Sequence, residues 1–297
     1  MLDSSWLWVV FTLVAAAAQT LRNATQRELT ATLGTVGATH VRFLFGFPFS
    51  AIFLVVVLLA TGAAVPRPSL SYWPWLALGA YAQIAATALM LAAMNDRSFV
   101  VIYAYIKTEP VHVALFGLVF LGDKVTPGMA VAIMIATVGV VAMGLKPGTK
   151  MDVRATLLGV AAGAMFGLSA VGYRGAILNL GLANYVVAAT FTLAVGLAVQ
   201  AATLSIYLRL RDPAVLASIA RAWRPSLFAG FLGALASQFW FLAFAVAAVV
   251  NVRTLALVEV LFAQAISRFA FKQATTPREL LGIVLIVTGV VLLLWTQ

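Results

Sequence analysis

The chain contains no cysteine and few charged residues, and each shortage narrows the function classes. The absence of cysteine excludes disulfides and thiolate metal sites. Only 9% of its 297 residues are charged, against roughly 25% in an ordinary soluble domain. No G-x-x-x-x-G-K-[ST] loop is present to bind nucleotide phosphates. The two histidines, His40 and His112, are weak evidence for a metal site, so we expect neither a metal nor another cofactor.

Hydrophobic residues make up 63% of the chain, and the mean hydropathy is +1.05. Apolar runs of about 20 residues, enough to cross a ~30 Å hydrocarbon core, follow one another with little interruption. We therefore predict an all-α polytopic protein of the cell inner membrane. The ten predicted spans are roughly 5–26, 33–61, 72–94, 98–121, 126–145, 155–176, 183–209, 225–248, 250–271 and 278–296.

The links between these spans are too short to fold as soluble domains. "GDKVT" at 122–126 and "KPGTKMD" at 146–152 are typical. An intramembrane enzyme would need a nucleophile or paired acids at the membrane surface, and the available polar residues are isolated from one another. We predict that the chain is not an enzyme and that it has no catalytic residue.

The net charge of +10 is distributed among the loops without a basic face beside stacking aromatics, so no nucleic-acid partner is predicted. Lys and Arg near span ends prefer the cytoplasm. Twelve lie in loops after odd-numbered spans and four in loops after even-numbered spans, which predicts that both termini face away from the cytoplasm. The segment "DPAVLASIARAWRPS" at 212–226 is either a short helix on the inner leaflet or a plain loop.

A shift of 150 residues aligns the chain with itself without a gap. Between 99–145 and the second copy we count eight identities. Besides apolar matches, these include Glu109 with Glu259 and Pro127 with Pro277. The sequence therefore predicts two five-span repeats, 1–149 and 150–297. An odd number of spans would insert the second repeat upside down, and inverted repeats place a substrate site near the membrane midplane.

The repeated pattern resembles the ten-helix EamA-type proteins of the drug/metabolite transporter superfamily. In the first copy it reads Ala93-Met94, Glu109-Pro110-Val111, Leu121-Gly122-Asp123, Pro127 and Gly139-Val140; in the second, Ala243-Phe244, Glu259-Val260, Leu281-Gly282 and Gly289-Val290. Asp123 stands where the pattern usually has Glu, and Gln273 occupies the matching position. The resemblance implies export of small metabolites, and it is strongest to the branch that exports aromatic amino acids.

The segment "YIKTEPVH" at 105–112 places ionisable side chains in the middle of the fourth span. On a helix Lys107 and Glu109 point about 200° apart, so each requires a partner on another helix or a water-filled cavity. Pro110 frees a carbonyl one turn earlier, which also requires protein or water. Lys107 would meet a substrate carboxylate or neutralise Glu259. Glu109 and Glu259 line a pathway, lock helices together or have no role.

Other spans add polar and aromatic candidates. Gln83 lies in the third span, and Gln238 and Trp240 lie in the eighth, where an inward Trp240 would stack on a planar side chain. The alternative is that these aromatics face lipid. Glycines at 159, 163 and 167 form a GxxxGxxxG ridge expected to let a neighbouring backbone approach closely. Arg42 is expected to extend to a membrane interface.

Together with the residues, this resemblance implies a secondary transporter that exports amino acids with aromatic or other apolar side chains by alternating access. The first, third, fourth, sixth, eighth and ninth spans would line a central cavity. Partners would be the small-molecule substrate and membrane lipid, and we expect a monomer. The alternatives are export of other metabolites or drugs, or a membrane scaffold subunit that transports nothing. The predicted substrate-binding residues are Gln83, Tyr103, Lys107, Glu109, Gln238, Trp240 and Glu259.

Overall fold

The computed structural model describes residues 6–96, 99–144, 153–269 and 276–296, and every regular element among them is a helix. The α-helices are α1 (Leu7–Leu44), α2 (Gly46–Thr61), α3 (Tyr72–Asp96), α4 (Phe99–Ile106), α5 (Glu109–Phe116), α6 (Pro127–Gly144), α7 (Val153–Asn179), α8 (Tyr185–Arg211), α9 (Pro213–Arg221), α10 (Trp223–Val246), α11 (Val249–Leu255), α12 (Glu259–Phe269) and α13 (Pro277–Trp295).

Seven helical segments within the described ranges are long and apolar enough to cross a membrane. They are Thr32–Thr61, Tyr72–Met94, Ile102–Leu121, Val153–Asn179, Tyr185–Arg211, Trp223–Val246 and Pro277–Trp295. Two shorter apolar helices, Leu7–Arg22 and Pro127–Met143, fall where the first and fifth spans are predicted. The chain is therefore an all-helical protein with the composition of a multi-pass membrane protein. The count of ten spans stays a prediction.

The predicted link between the first two spans is helical. Helix α1 continues through it to Leu44, and the backbone leaves helical geometry only at Gly34, where φ is 67°. The segment "RNATQRELT" contains neither glycine nor proline, and Arg, Gln, Glu and Leu all favour helix. Polarity alone therefore did not end the helix; glycine, which tolerates positive φ, marks the interruption.

The amphipathic segment after α8 forms a helix, α9, rather than a plain loop. Its apolar side packs on α1 and α8, and Ile219 is fully buried. Val215 lies beside Gly37 of α1. This apolar side is thus covered by the protein itself, whereas Trp223 just beyond α9 is half exposed beneath the Arg224 guanidinium.

Contacts divide the chain into two compact units. Unit 1 contains Met1–Ile84 and Gly172–Ala247, and unit 2 contains Ala85–Val171 and Ala248–Gln297. Each unit therefore takes segments from both halves of the sequence. The predicted repeats, 1–149 and 150–297, divide the chain by sequence similarity and stay a prediction.

In unit 2, α6 and α13 pack closely through small residues. A Cβ at Gly139 would lie 2.8 Å from the carbonyl oxygen of Gly282, and one at Gly289 would lie 2.7 Å from that of Ala132. As α6 advances from 132 to 139, its contacts in α13 recede from 289 to 282, so the two helices are antiparallel. Since 132 and 139 correspond to 282 and 289 in the 150-residue alignment, the contact is reciprocal, as it is around a two-fold axis.

The same two helices begin alike. Thr126 accepts a hydrogen bond from Met129 N at 3.2 Å, just before Pro127 opens α6. Thr276 accepts one from Glu279 N at 3.3 Å, and the Glu279 carboxylate accepts in return from Thr276 N at 2.7 Å. Proline suits this first helical position because its missing N–H would have no intrahelical partner there.

Candidate functional site

The fourth predicted span is a broken helix in unit 2. Helix α4 ends at Ile106, Lys107 and Thr108 form a turn, and α5 begins at Glu109. Pro110 has no N–H to donate to the carbonyl of Ile106, four residues earlier. The break thus places Lys107 and Glu109 on either side of an irregular backbone in the middle of an apolar segment.

The ninth predicted span is broken at the matching place. Helix α11 ends at Leu255, a 3₁₀ turn covers Ala256–Val258, and α12 begins at Glu259. At both breaks the α-helical hydrogen bonding is interrupted while the backbone stays in the right-handed helical region, as at Thr108 (φ −73°, ψ −5°) and Leu255 (φ −60°, ψ −34°). Glu109 and Glu259, which are 150 residues apart, therefore both follow such a break. No proline occurs in this second break, so different local chemistry produces the same interruption.

The glycine ridge of α7 packs against the first break. A Cβ at Gly163 would lie 2.7 Å from the Ile106 carbonyl oxygen, and a Cβ at Gly159 would meet Tyr105 at the same distance. Gly167 faces Val113 further along. The close approach expected from the GxxxGxxxG spacing is confirmed, and it covers the carbonyl that Pro110 leaves without its helical partner.

Two ion pairs join the broken helices. The Lys107 ammonium contacts the Glu259 carboxylate, and it also lies 4.7 Å from the centre of the Tyr103 ring, within cation–π range. Nε of Arg253 lies 3.0 Å from Oε1 of Glu109, although the N–H is not aligned as a hydrogen bond to that oxygen. Each acid is thus paired with a cation from the other half of the sequence.

All four charged groups are withdrawn from solvent. The exposed fractions are 3% for Lys107, 5% for Glu109, 8% for Arg253 and 0% for Glu259. Buried ions remain charged only when partners offset their desolvation, so each of these charged groups depends on the partner it contacts. We call these four residues the charge cluster; among the described residues of unit 2, its members are the buried charged side chains.

Arg253 is the member that the sequence analysis missed. It was counted among loop residues, but the structure places it inside α11, and the count of basic loop residues is wrong at this position. Its position within the ninth apolar run, six residues before a mid-span acid, was the available signal. Four other residues that the orientation count used lie outside the described residues: Arg97, Lys146, Lys150 and Lys272.

In unit 1, Gln83 belongs to a neutral hydrogen-bonded network. Its Oε1 accepts from Gln200 Nε2 at 2.9 Å and from the Tyr173 hydroxyl at 3.3 Å. Gln200 Nε2 also donates to the Ala80 carbonyl at 3.0 Å. This network fixes the orientation of the Gln83 amide between α3, α7 and α8.

The two candidates on α10 are held by different neighbours. Gln238 Nε2 donates to the Thr190 hydroxyl at 2.7 Å. The indole N–H of Trp240 donates to Gln19 Oε1 at 3.0 Å, and its ring stacks near Phe244 with centroids 6.3 Å apart. Both side chains are buried. Trp240 therefore faces protein rather than lipid, and its polar atom has a partner.

The arginines of α1 correct a further expectation. Arg42 does not extend to an interface; it is 4% exposed, and its stem lies beside Gly233 together with that of Arg22. Glycine at 233 leaves room for both stems.

Both histidines have hydrogen-bond partners within the protein: Ser205 Oγ lies 3.0 Å from His40 Nε2, and Thr108 O lies 3.1 Å from His112 Nδ1.

The structure brings part of the predicted site together. Tyr103, Lys107, Glu109 and Glu259 lie in the charge cluster of unit 2 or against it. The remaining three predicted residues belong to unit 1, where Gln83, Gln238 and Trp240 make separate hydrogen bonds. Their role in binding a substrate stays a prediction.

Comparison with known proteins identifies the fold but no activity. No family model matches the chain, and no curated protein matches it. A solved structure described only as "Crystal structure of protein" is similar over 96% of this chain and 95% of its own, with a TM-score of 0.73 and 16% sequence identity. At that identity the likeness shows a shared fold alone.

Proposed function

We propose that this chain is a secondary transporter that exports small metabolites across the inner membrane, with amino acids bearing aromatic or other apolar side chains as its substrates. The observation that carries the proposal is the pair of broken helices that restart at Glu109 and Glu259 with buried ion pairs beside the breaks.

Two physical arguments connect the breaks with transport. Irregular backbone at membrane depth is tolerated where protein buries it or where it lines a water-filled cavity. Charged residues within spans mark substrate or ion pathways, and secondary transporters build their sites from discontinuous helices. The breaks at 107–108 and 256–258 combine both features within unit 2.

The wider proposal is a ten-helix, EamA-type architecture of two inverted repeats. Three features of unit 2 support it. The matched helices α6 and α13 run antiparallel with reciprocal contacts, they begin with the same Thr-Pro pair, and the acids of the charge cluster occupy matched positions. An inverted pair of repeats would allow alternating access around a fixed site.

In this mechanism the charge cluster receives the polar end of the substrate. The carboxylates of the cluster are potential acceptors for an ammonium group, and its cations are potential donors to a carboxylate. Each internal ion pair holds the cluster together when the site is empty, because an unpaired buried ion is costly.

Reconstitution into liposomes tests the proposal. Uptake of radiolabelled phenylalanine, other amino acids, a sugar and a cationic dye would be measured for the purified chain and for Glu259→Gln and Lys107→Ala. We expect flux of apolar amino acids and its loss in both variants. Glu279→Gln is the control, because this partly exposed acid lies outside the cluster and glutamine still completes the capping box.

Two results would contradict the proposal. Absence of flux for every solute, from protein that elutes as a folded species, would favour a scaffold subunit. Flux restricted to the cationic dye would favour a drug exporter.

A further inference from the structure

We infer that Arg253 and Glu109 form a zwitterion-binding pair that selects substrates by net charge, while Lys107 and Glu259 form a fixed pair beside it. This inference rests on the proposed transport function and specifies its substrate class. Arg253 thereby becomes a specificity-determining residue.

The first argument is the charge balance of the cluster. Two cations and two carboxylates, each at least nine-tenths buried, sum to zero. A substrate that carries one net charge would leave that charge without a counterion at a site withdrawn from water, where such a charge is costly. An α-amino acid presents an ammonium and a carboxylate on one carbon, so it can enter without disturbing the balance.

The second argument identifies which pair opens. Glu259 has no exposed surface, and its partner Lys107 is covered by the Tyr103 ring. Glu109 and Arg253 are the more accessible members, with exposed fractions of 5% and 8%. Separating this pair therefore costs less free energy than separating Lys107 from Glu259.

The third argument is the chemistry of the two groups. A guanidinium presents a planar fork of donors that matches a carboxylate in two parallel hydrogen bonds, which an ammonium cannot do. Glu109 lies at the first position of α5 and accepts from an ammonium through either oxygen. A zwitterion inserted between them gives both residues a new partner of opposite charge.

Three probes with one side chain test the inference on the unaltered protein. Phenylalanine is zwitterionic, its methyl ester is a cation, and N-acetylphenylalanine is an anion. Each would compete against radiolabelled phenylalanine in liposomes, and its binding would be measured separately from the thermal shift of the purified protein. We expect phenylalanine to compete at least tenfold more strongly than either derivative. Equal competition by all three would overturn the inference.

Variants that remove one charge should shift the preference between the cationic and anionic derivatives in opposite directions. Arg253→Gln leaves Glu109 as the free acid, so the methyl ester should gain at least tenfold relative to N-acetylphenylalanine. Glu109→Gln should shift the same ratio in the opposite direction, and the control Glu279→Gln should leave it unchanged. Shifts of the same sign in both variants would overturn the assignment. The wild-type panel decides the question if a variant does not fold.

The flux and binding measurements distinguish failure of the zwitterion site from failure of the proposed transport function. Flux of phenylalanine without discrimination by charge would retain the transporter and reject the zwitterion site. Discrimination in the binding measurement without flux would retain the site and reject transport.

Discussion

The two broken helices reach the same interruption by different means. The first turns at Lys107 and Thr108 and carries Pro110 just beyond, whereas the second passes through a 3₁₀ turn at Ala256–Val258 without proline. In both, the second part of the helix begins at a buried glutamate. What the two breaks share is therefore the acid and its position, whereas the residues and the turn geometry before the acid differ.

The cations differ as well. Lys107 stands two residues before Glu109, but Arg253 stands six residues before Glu259. In the 150-residue alignment Lys107 corresponds to Leu257, and Arg253 corresponds to Tyr103. The two acids thus occupy matched positions in the alignment, whereas the two cations do not. The result is a crossed arrangement in which neither broken helix satisfies its own acid through the ion pairs described above.

The largest loss of stability is expected from removing the cation of each ion pair, and its size should differ between the two breaks. Lys107→Met leaves Glu259 buried and uncompensated, which costs about 3–5 kcal/mol of stability. Arg253→Met should cost less, because Glu109 retains some exposed surface whereas Glu259 has none. The midpoint of thermal unfolding in detergent would measure both.

Double variants provide the matched controls. Lys107→Met combined with Glu259→Gln removes both charges, and it should recover most of the stability lost in Lys107→Met alone. Arg253→Met with Glu109→Gln should behave similarly. A double variant no more stable than its single parent would show that the contact does not act as an ion pair.

A smaller effect is expected where α7 packs on the first break. Gly163→Ala places a Cβ 2.7 Å from the Ile106 carbonyl oxygen, so the backbones must separate. Overpacking of this kind costs typically about 1–3 kcal/mol. Gly46→Ala is the control, because the nearest atom to its Cβ would be 3.5 Å away, an ordinary contact. A melting midpoint unchanged by Gly163→Ala would mean that the ridge does not support the break.

The sequence predicted features that depend on strong local chemistry. An ionisable residue in an apolar run is conspicuous because of its cost, so Lys107, Glu109 and Glu259 were recognised. Glycine spacing and Thr-Pro helix starts are similarly local signals, and the structure bears them out at Gly163 and Pro127.

Other features depend on contacts that a single sequence does not reveal. Arg253 was treated as a loop residue because charge near a span boundary is usually solvated; its place in the ninth apolar run indicated burial, but only the structure shows its contact with Glu109. The hydrogen bonds of Gln83 and Trp240 join residues 117 and 221 positions away, respectively, so no local pattern indicates them. The first helix continues past its predicted end to the interruption at Gly34, and this was missed because polarity was taken as a break.

The smallest effect is expected at Pro110, and its sign distinguishes two explanations of the first break. A proline forced into a helix interior costs about 3 kcal/mol. If Pro110 alone caused the break, Pro110→Ala would restore the helix and raise the free energy of unfolding by a similar amount. It would also abolish transport. The second break forms with Val260 at the matching position. If instead the paired charges and the packing of Gly163 fix the geometry, Pro110→Ala should change stability by less than about 1 kcal/mol, mainly through the freer unfolded chain. We expect this second result, with flux retained.

Val260→Pro should then be tolerated too, because position 260 lies in the first turn of α12, where a helix needs no N–H.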